Sequence, residues 1–145
     1  MKPVRVKIEG LREVDAALQE LKLRTARNIT RKALNDGGEI IAQDMRARAP
    51  VDEGNLRESI SVSGTLSRRQ RGLHRKRSDQ ERFVGPDNRP AAHLREFGGD
   101  GYPPHPYARP AFDSKKEGAL KRITDRLMVD VEQAVQRAKA RGNAK

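Results

Sequence analysis

Three histidines are the only candidates for soft metal chemistry in this chain of 145 residues, which has no cysteine. His93 and Glu96 stand three residues apart, a spacing that puts two ligands on one helical face, and His105 would be a third. Zinc sites usually add a thiolate or a second paired donor. Neither is present, so these read as loop or surface histidines, and no metal or other cofactor is expected. Carboxylate pairs such as Glu53 with Glu58, or Asp125 with Asp130, recur throughout so charged a sequence and single out no acid–base couple. Nucleophile-elbow, zinc-protease, phosphate-loop and dinucleotide signatures are missing. No catalytic residue is expected.

Positive charge is the sharper feature. Arg68, Arg69, Arg71, Arg75, Lys76 and Arg77 fall within ten residues, with His74 among them. Such a cluster can meet several phosphates with a steep salt dependence, or the acidic face of a neighbouring subunit. A solvated loop with no defined role is the third reading. No aromatic residue lies between Thr65 and Gln80, so stacking on unpaired bases is not supported. The whole chain carries a formal net charge of +11, which suggests an acidic partner.

A second concentration is EFGGDGYPPHPYARPAF, Glu96 to Phe112, which holds four of the five aromatic residues and four of the eight prolines. It reads as neither helix nor central strand. Proline fixes φ and lowers the entropy lost on docking, so the segment is expected to be a pre-organised arm leaving the domain at a Gly98-Gly99 hinge. Tyr102, Tyr107 and Arg109 are expected to face outward onto another chain, with Phe97 and Phe112 turned inward as anchors.

The surrounding pattern supplies the elements that hold these features. Val4, Val6 and Ile8 alternate with Arg5 and Lys7 as a half-buried strand. Leu11, Val14, Leu18 and Leu21 follow at helical spacing. A longer helix is predicted from Asn28 to Ala49, stopped by Pro50. Gly37 on its apolar stripe implies a close backbone approach or a local irregularity. Arg48 to Ile60 reads as helix stop, turn and strand start, with Arg57 and Glu58 at the mouth of the strand. Ile60 and Val62 face inward on one strand, ERFVG forms another, and residues 65–80 make a long exposed hairpin loop that is mobile until bound. The C-terminal helix is expected to start at Asp113 or Ser114 through the capping box Ser114 to Glu117 and to end at Gly142.

The expected class is α+β: a small, mainly antiparallel sheet packed against two or three helices in a single domain. Its parts are a core over 1–112 with the basic loop 65–80 and the arm 98–110, a helix over 113–141 and a basic tail over 142–145. The N-terminus shows no apolar leader. No apolar run approaches the ~20 residues of a membrane span. A soluble chain made in the cytoplasm, without membrane association, is the expectation.

VKIEGLREVDAALQEL, ARAPVDEGNLRESI, FVGP, AHLREFGG and PPHPYARPAF follow one another in this order. The series resembles the neck and tail-completion (minor tail component) family of lambda-like phages with long non-contractile tails, over about residues 6 to 135. Two features depart from its pattern. Gly99 follows Gly98 where threonine is usual, and the arginine-rich stretch from Arg68 to Arg77 is longer and more basic, so no role for it is inherited. The resemblance implies a structural subunit at the head–tail junction that forms or joins a ring through which DNA passes. Homo-oligomerisation is implied, with a hexamer favoured and a dodecamer if the portal sets the symmetry. Implied partners are head-closure or connector proteins, tail terminator or tail tube proteins, and packaged DNA. Tyr102, Tyr107, Arg109 and Arg57 are the candidate subunit contacts. Its place would be the virion neck, with assembly in the host cytoplasm. A reading from another class remains: a small basic nucleic-acid-binding protein using Arg68 to Arg77.

Overall fold

The computed structural model describes residues 10–51, 55–87 and 90–142. The predicted strand Val4–Ile8, the turn at Gly54 and tail residues 143–145 lie outside them. The elements are α1 (Leu11–Glu20), α2 (Leu23–Arg48), α3 (Asn55–Ser59), β1 (Ser61–Ser63), α4 (Arg68–Leu73), β2 (Phe83–Gly85), α5 (Pro90–Phe97) and α6 (Ala108–Gly142). The α+β class holds: helices cover a two-stranded antiparallel sheet, in which Val62 pairs with Val84.

Helices α2 and α6 run antiparallel and carry the fold. Ile29 and Ala33 of α2 pack with Leu127, Val131 and Ala134 of α6 and with Val14 of α1. Further along, Ala42, Met45 and Ala49 pack with Ile60, Tyr107 and Ala111. Between the two clusters the helices approach closely at Gly37. A β-carbon there would collide with the Ile123 side chain and stand 2.9 Å from the Ala119 carbonyl oxygen. Gly38 faces the other way, where a β-carbon would lie 2.9 Å from Val62 Cγ1 and 3.2 Å from Val84 Cγ2. The adjacent glycines thus admit α6 on one side and the sheet on the other. That packing offsets a helix-propensity cost of about 1 kcal/mol each.

Polar clamps fix the same arrangement. Arg46 donates from Nε and Nη2 to the Ile60 carbonyl at 3.0 and 2.8 Å, and from Nη1 to Glu39 at 2.6 Å, holding the entry to β1 against α2. Ser114 Oγ donates to Asp44 at 3.0 Å, and Arg126 bridges Asp36 at 3.2 Å and Asp130 at 2.8 Å.

Several local expectations are corrected. Helix α2 begins at Leu23, earlier than Asn28, and ends at Arg48 because Ala49 is already extended ahead of Pro50. A short helix, α3, stands between that stop and the strand. The stretch 65–80 is largely exposed, as expected, but is not simply a hairpin loop: Arg68–Leu73 form α4, started by a capping box in which Ser67 and Gln70 bond each other's backbone. The expected arm 98–110 is shorter: α5 runs through Phe97 and α6 begins at Ala108, so residues 108–110 already belong to the helix. Ser114 therefore lies inside α6 rather than at its cap.

Candidate functional site: two interaction surfaces

The first surface is built around a latch between α5 and α6. Glu96, in the last turn of α5, accepts backbone N–H bonds from Tyr107 at 2.8 Å, Ala108 at 2.9 Å and Arg109 at 3.0 Å. Helix N-termini leave their first N–H groups without intrahelical partners. Here one carboxylate from another helix takes three of them, and the next residue, Pro110, has no N–H to satisfy. A negative charge also suits the positive end of the helix. Burial works against ionised Glu96, but the N–H groups of Ala108, Tyr107 and Arg109, with the Arg109 charge, outweigh it and hold the carboxyl below its ordinary value. This carboxylate is committed to the backbone, and among the described residues no group of His, Cys, Asp and Glu could hold a metal ion.

The intervening turn is closed rather than hinged. Gly98, at φ 74°, donates to the Leu94 carbonyl at 2.8 Å and ends α5. Gly99 and Tyr102 exchange both backbone bonds, at 3.0 and 2.9 Å, and His105 N–H donates to the Arg95 carbonyl at 2.8 Å. The expected Gly-Gly hinge is absent, and the proline-rich segment is stapled to α5.

The aromatic assignment is inverted at three of four positions. Tyr107, expected outside, is 2% exposed and sits among Ala42, Met45, Ala49, Ile60 and Ala111. Three alanines in that set leave room for a large ring, and the hydroxyl donates to the Ala92 carbonyl at 3.4 Å. Burial, with the nearby Glu96 charge, pushes the phenol up to about 12. Phe97 and Phe112, expected as inward anchors, are 66% and 53% exposed. Phe112 follows the fully buried Ala111, and successive helical residues point about 100° apart. Tyr102 is exposed as expected, at 63%. Arg109 is exposed too, though with the Glu96 carboxylate for a neighbour. Arg57 is half-buried, and its Nε is a buried donor without a hydrogen-bond partner among the described residues. Leu94 adds exposed apolar surface near the turn, and the His93 ring lies 4.8 Å from that of Phe97.

The second surface is the basic module, Ser67 to Glu81. Arg68, Arg69 and Arg71 stand on α4, and Arg75, Lys76 and Arg77 in the turn that follows; all six are exposed. Glu81 organises that turn. It accepts from the N–H of Arg77 at 2.7 Å and of Ser78 at 3.2 Å, and pairs with His74 Nε2 at 2.8 Å. The Arg77 N–H first, then the His74 bond, lowers the Glu81 carboxyl below its usual range. The His74 ring stands edge-on to Phe83 at 5.2 Å, which ties the module to β2. Sequence reasoning found the cations but missed Gln70 and Glu81; the S-x-x-Q signature was the available signal for the first.

Residues 12–98, more than half of the chain, match the family described as "Bacteriophage HK97-gp10, putative tail-component". The class is thus a component of bacteriophage tails, which places it in the virion. The chain belongs to the HK97-gp10-like family. No curated protein and no solved structure matches it. The match covers the basic module and α5, whereas the proline-rich turn and α6 lie beyond it. Among the described residues, no helix is long and apolar enough to cross a membrane.

Proposed function

We propose that the chain is a structural subunit of the head–tail junction, forming or joining a ring between the head-closure and portal complex and the tail tube, through which the genome passes. The family match over residues 12–98 carries this reading. The exposed side chains of Leu94, Phe97, Tyr102 and Phe112 support it, since they offer apolar contact area on a stapled backbone. The natural closed assembly is a cyclic homo-oligomer. A hexamer would follow the tail's symmetry and a dodecamer the portal's. Its neighbours would be connector or head-closure proteins on one side and tail terminator or tail tube proteins on the other. The subunit supplies contacts and needs neither a catalytic residue nor a cofactor.

Sedimentation of the purified chain, alone and mixed with heads and tails lacking it, tests the proposal, with symmetry counted at the neck in micrographs. Incorporation with a defined ring symmetry is the expected result. The double variant Phe97→Ser, Tyr102→Ser should keep its stability within about 0.5 kcal/mol yet join particles poorly. A parent chain that stays monomeric and never enters particles would sink the reading. The basic module favours the alternative, a free-standing nucleic-acid-binding protein; such a chain would bind DNA, remain small and never join particles.

A further inference from the structure

We propose that the segment from Ser67 to Glu81 is a pre-formed binding surface for the phosphate backbone of duplex DNA. The choice of duplex DNA over RNA rests on the junction reading above; the chemistry of the surface does not. Its six cationic side chains are exposed, and nearby carboxylates leave them largely available. Glu81 is turned inward onto backbone N–H groups and His74. Asp79 reaches Lys76 only at 3.8 Å and Arg27 of α2 only at 4.0 Å, both at solvent-exposed positions where ion pairs contribute little. Arg27 thereby brings a further cation to the edge of the module. Lys76, Arg77, Ser78 and Asp79 line an open depression of about 350 Å³ beside it.

Order is what separates this segment from a solvated charge run. The Ser67–Gln70 capping box fixes the start of the module, the Glu81 carboxylate fixes its turn, and the His74–Phe83 contact fixes it to the sheet. The cations are therefore presented with little backbone entropy left to lose on binding. The composition favours phosphate over an acidic protein face. Protein interfaces depend on buried aromatic or aliphatic anchors, and here Leu73, 84% exposed, is the lone strongly exposed apolar side chain. Contact with a phosphate backbone needs charge and reach alone, and it reads no sequence.

The test is equilibrium binding of the full chain to a short random-sequence duplex, followed by fluorescence anisotropy between about 50 and 200 mM salt. If all six cations engage, log K should fall against log salt with a slope of about −5. Combining Arg75→Ser, Lys76→Ser and Arg77→Ser should flatten that slope by about 3 with thermal unfolding unchanged. The charge-matched control Lys115→Ser, Lys121→Ser, Arg137→Ser on α6 should flatten it far less. The inference is overturned if the module variant keeps the parent's affinity and slope, or if the control loses as much as the module variant does. It is also overturned if the parent shows no DNA affinity while Leu73→Ser or the module variant blocks entry into particles, for the surface then meets protein. A chain that binds DNA through the module but never joins particles removes the junction reading instead. A chain that joins particles without binding DNA removes this inference alone.

Discussion

Replacing Glu96 by glutamine tests the latch with a minimal change of shape. The carboxylate accepts three backbone N–H bonds at 2.8–3.0 Å. Hydrogen bonds to a charged acceptor contribute about 1.5–3 kcal/mol and neutral ones about 0.5–1.5. Glutamine keeps one oxygen, loses the charge on every bond and turns an NH2 group toward at least one N–H donor. Three weakened or lost bonds give about 2–4 kcal/mol, and the half-exposed setting of Glu96 favours the lower end. For a chain of this size, about 2 kcal/mol corresponds to roughly 6 °C in Tm. The pH dependence carries the sharper signature. The folded state holds Glu96 below the ordinary value of 4.5. Its contribution is therefore fully present above that value and fades as pH falls through the folded pKa. Glutamine does not titrate. The stability gap between parent and E96Q, from urea unfolding at a series of pH values, should stay constant from about pH 7 to 5 and close at lower pH. Asp44 and Glu81 are also held low, but they titrate alike in both proteins and cancel in the difference. A gap below about 0.5 kcal/mol at neutral pH, or one that does not close in acid, would refute the latch.

Glycine positions give a contrast of sign in thermal unfolding. Gly37→Ala should destabilise by about 1–3 kcal/mol, because its β-carbon meets Ile123 and the Ala119 carbonyl. Gly118→Ala on α6, where a β-carbon meets nothing within 4 Å, should stabilise by about 0.5–1 kcal/mol. Tyr107→Ala should lose about 3–5 kcal/mol. Tyr107→Phe should lose less than about 1 kcal/mol, since the hydroxyl bond is long at 3.4 Å. Equal losses for the two Tyr107 variants would place the residue's role in the hydroxyl instead of the ring.

The parts of the fold set by local periodicity were legible in the sequence. Ile29, Ala33 and Met45 recur on one face of α2, Leu127 and Val131 on one face of α6, and Ile60 with Val62 marks the sheet. The close approach at Gly37 followed from a glycine on an apolar stripe. The failures lie where a distant residue decides. Helix α6 begins at Ala108 with no capping side chain of its own, because Glu96 reaches across from α5; a search for Ser, Thr, Asp or Asn next to the helix finds Asp113 and Ser114 instead. Pro110 fits the first turn of a helix and was the local clue. Tyr107, whose N–H that distant cap holds, packs its ring into the core, against the polarity-based placement of the tyrosines outside, while the phenylalanines expected inside are exposed. In the basic module, α4 has no apolar stripe, so periodicity is silent and only the Ser67–Gln70 pair speaks for a helix. The six cations were evident from composition, whereas their ordered presentation depends on Glu81, several residues downstream.

Half of the buried apolar residues among those described are alanines, with Ala33, Ala42 and Ala111 wholly enclosed. In an interior of leucines and phenylalanines, mutation does its damage by removing atoms and leaving holes. At these three alanines there is little to remove, so their weakness runs the other way. Any enlargement at these sites must push α2 from α6 or displace the Tyr107 ring, and closely packed interiors yield little to such pressure. At these positions only exchange among the smallest side chains avoids that strain.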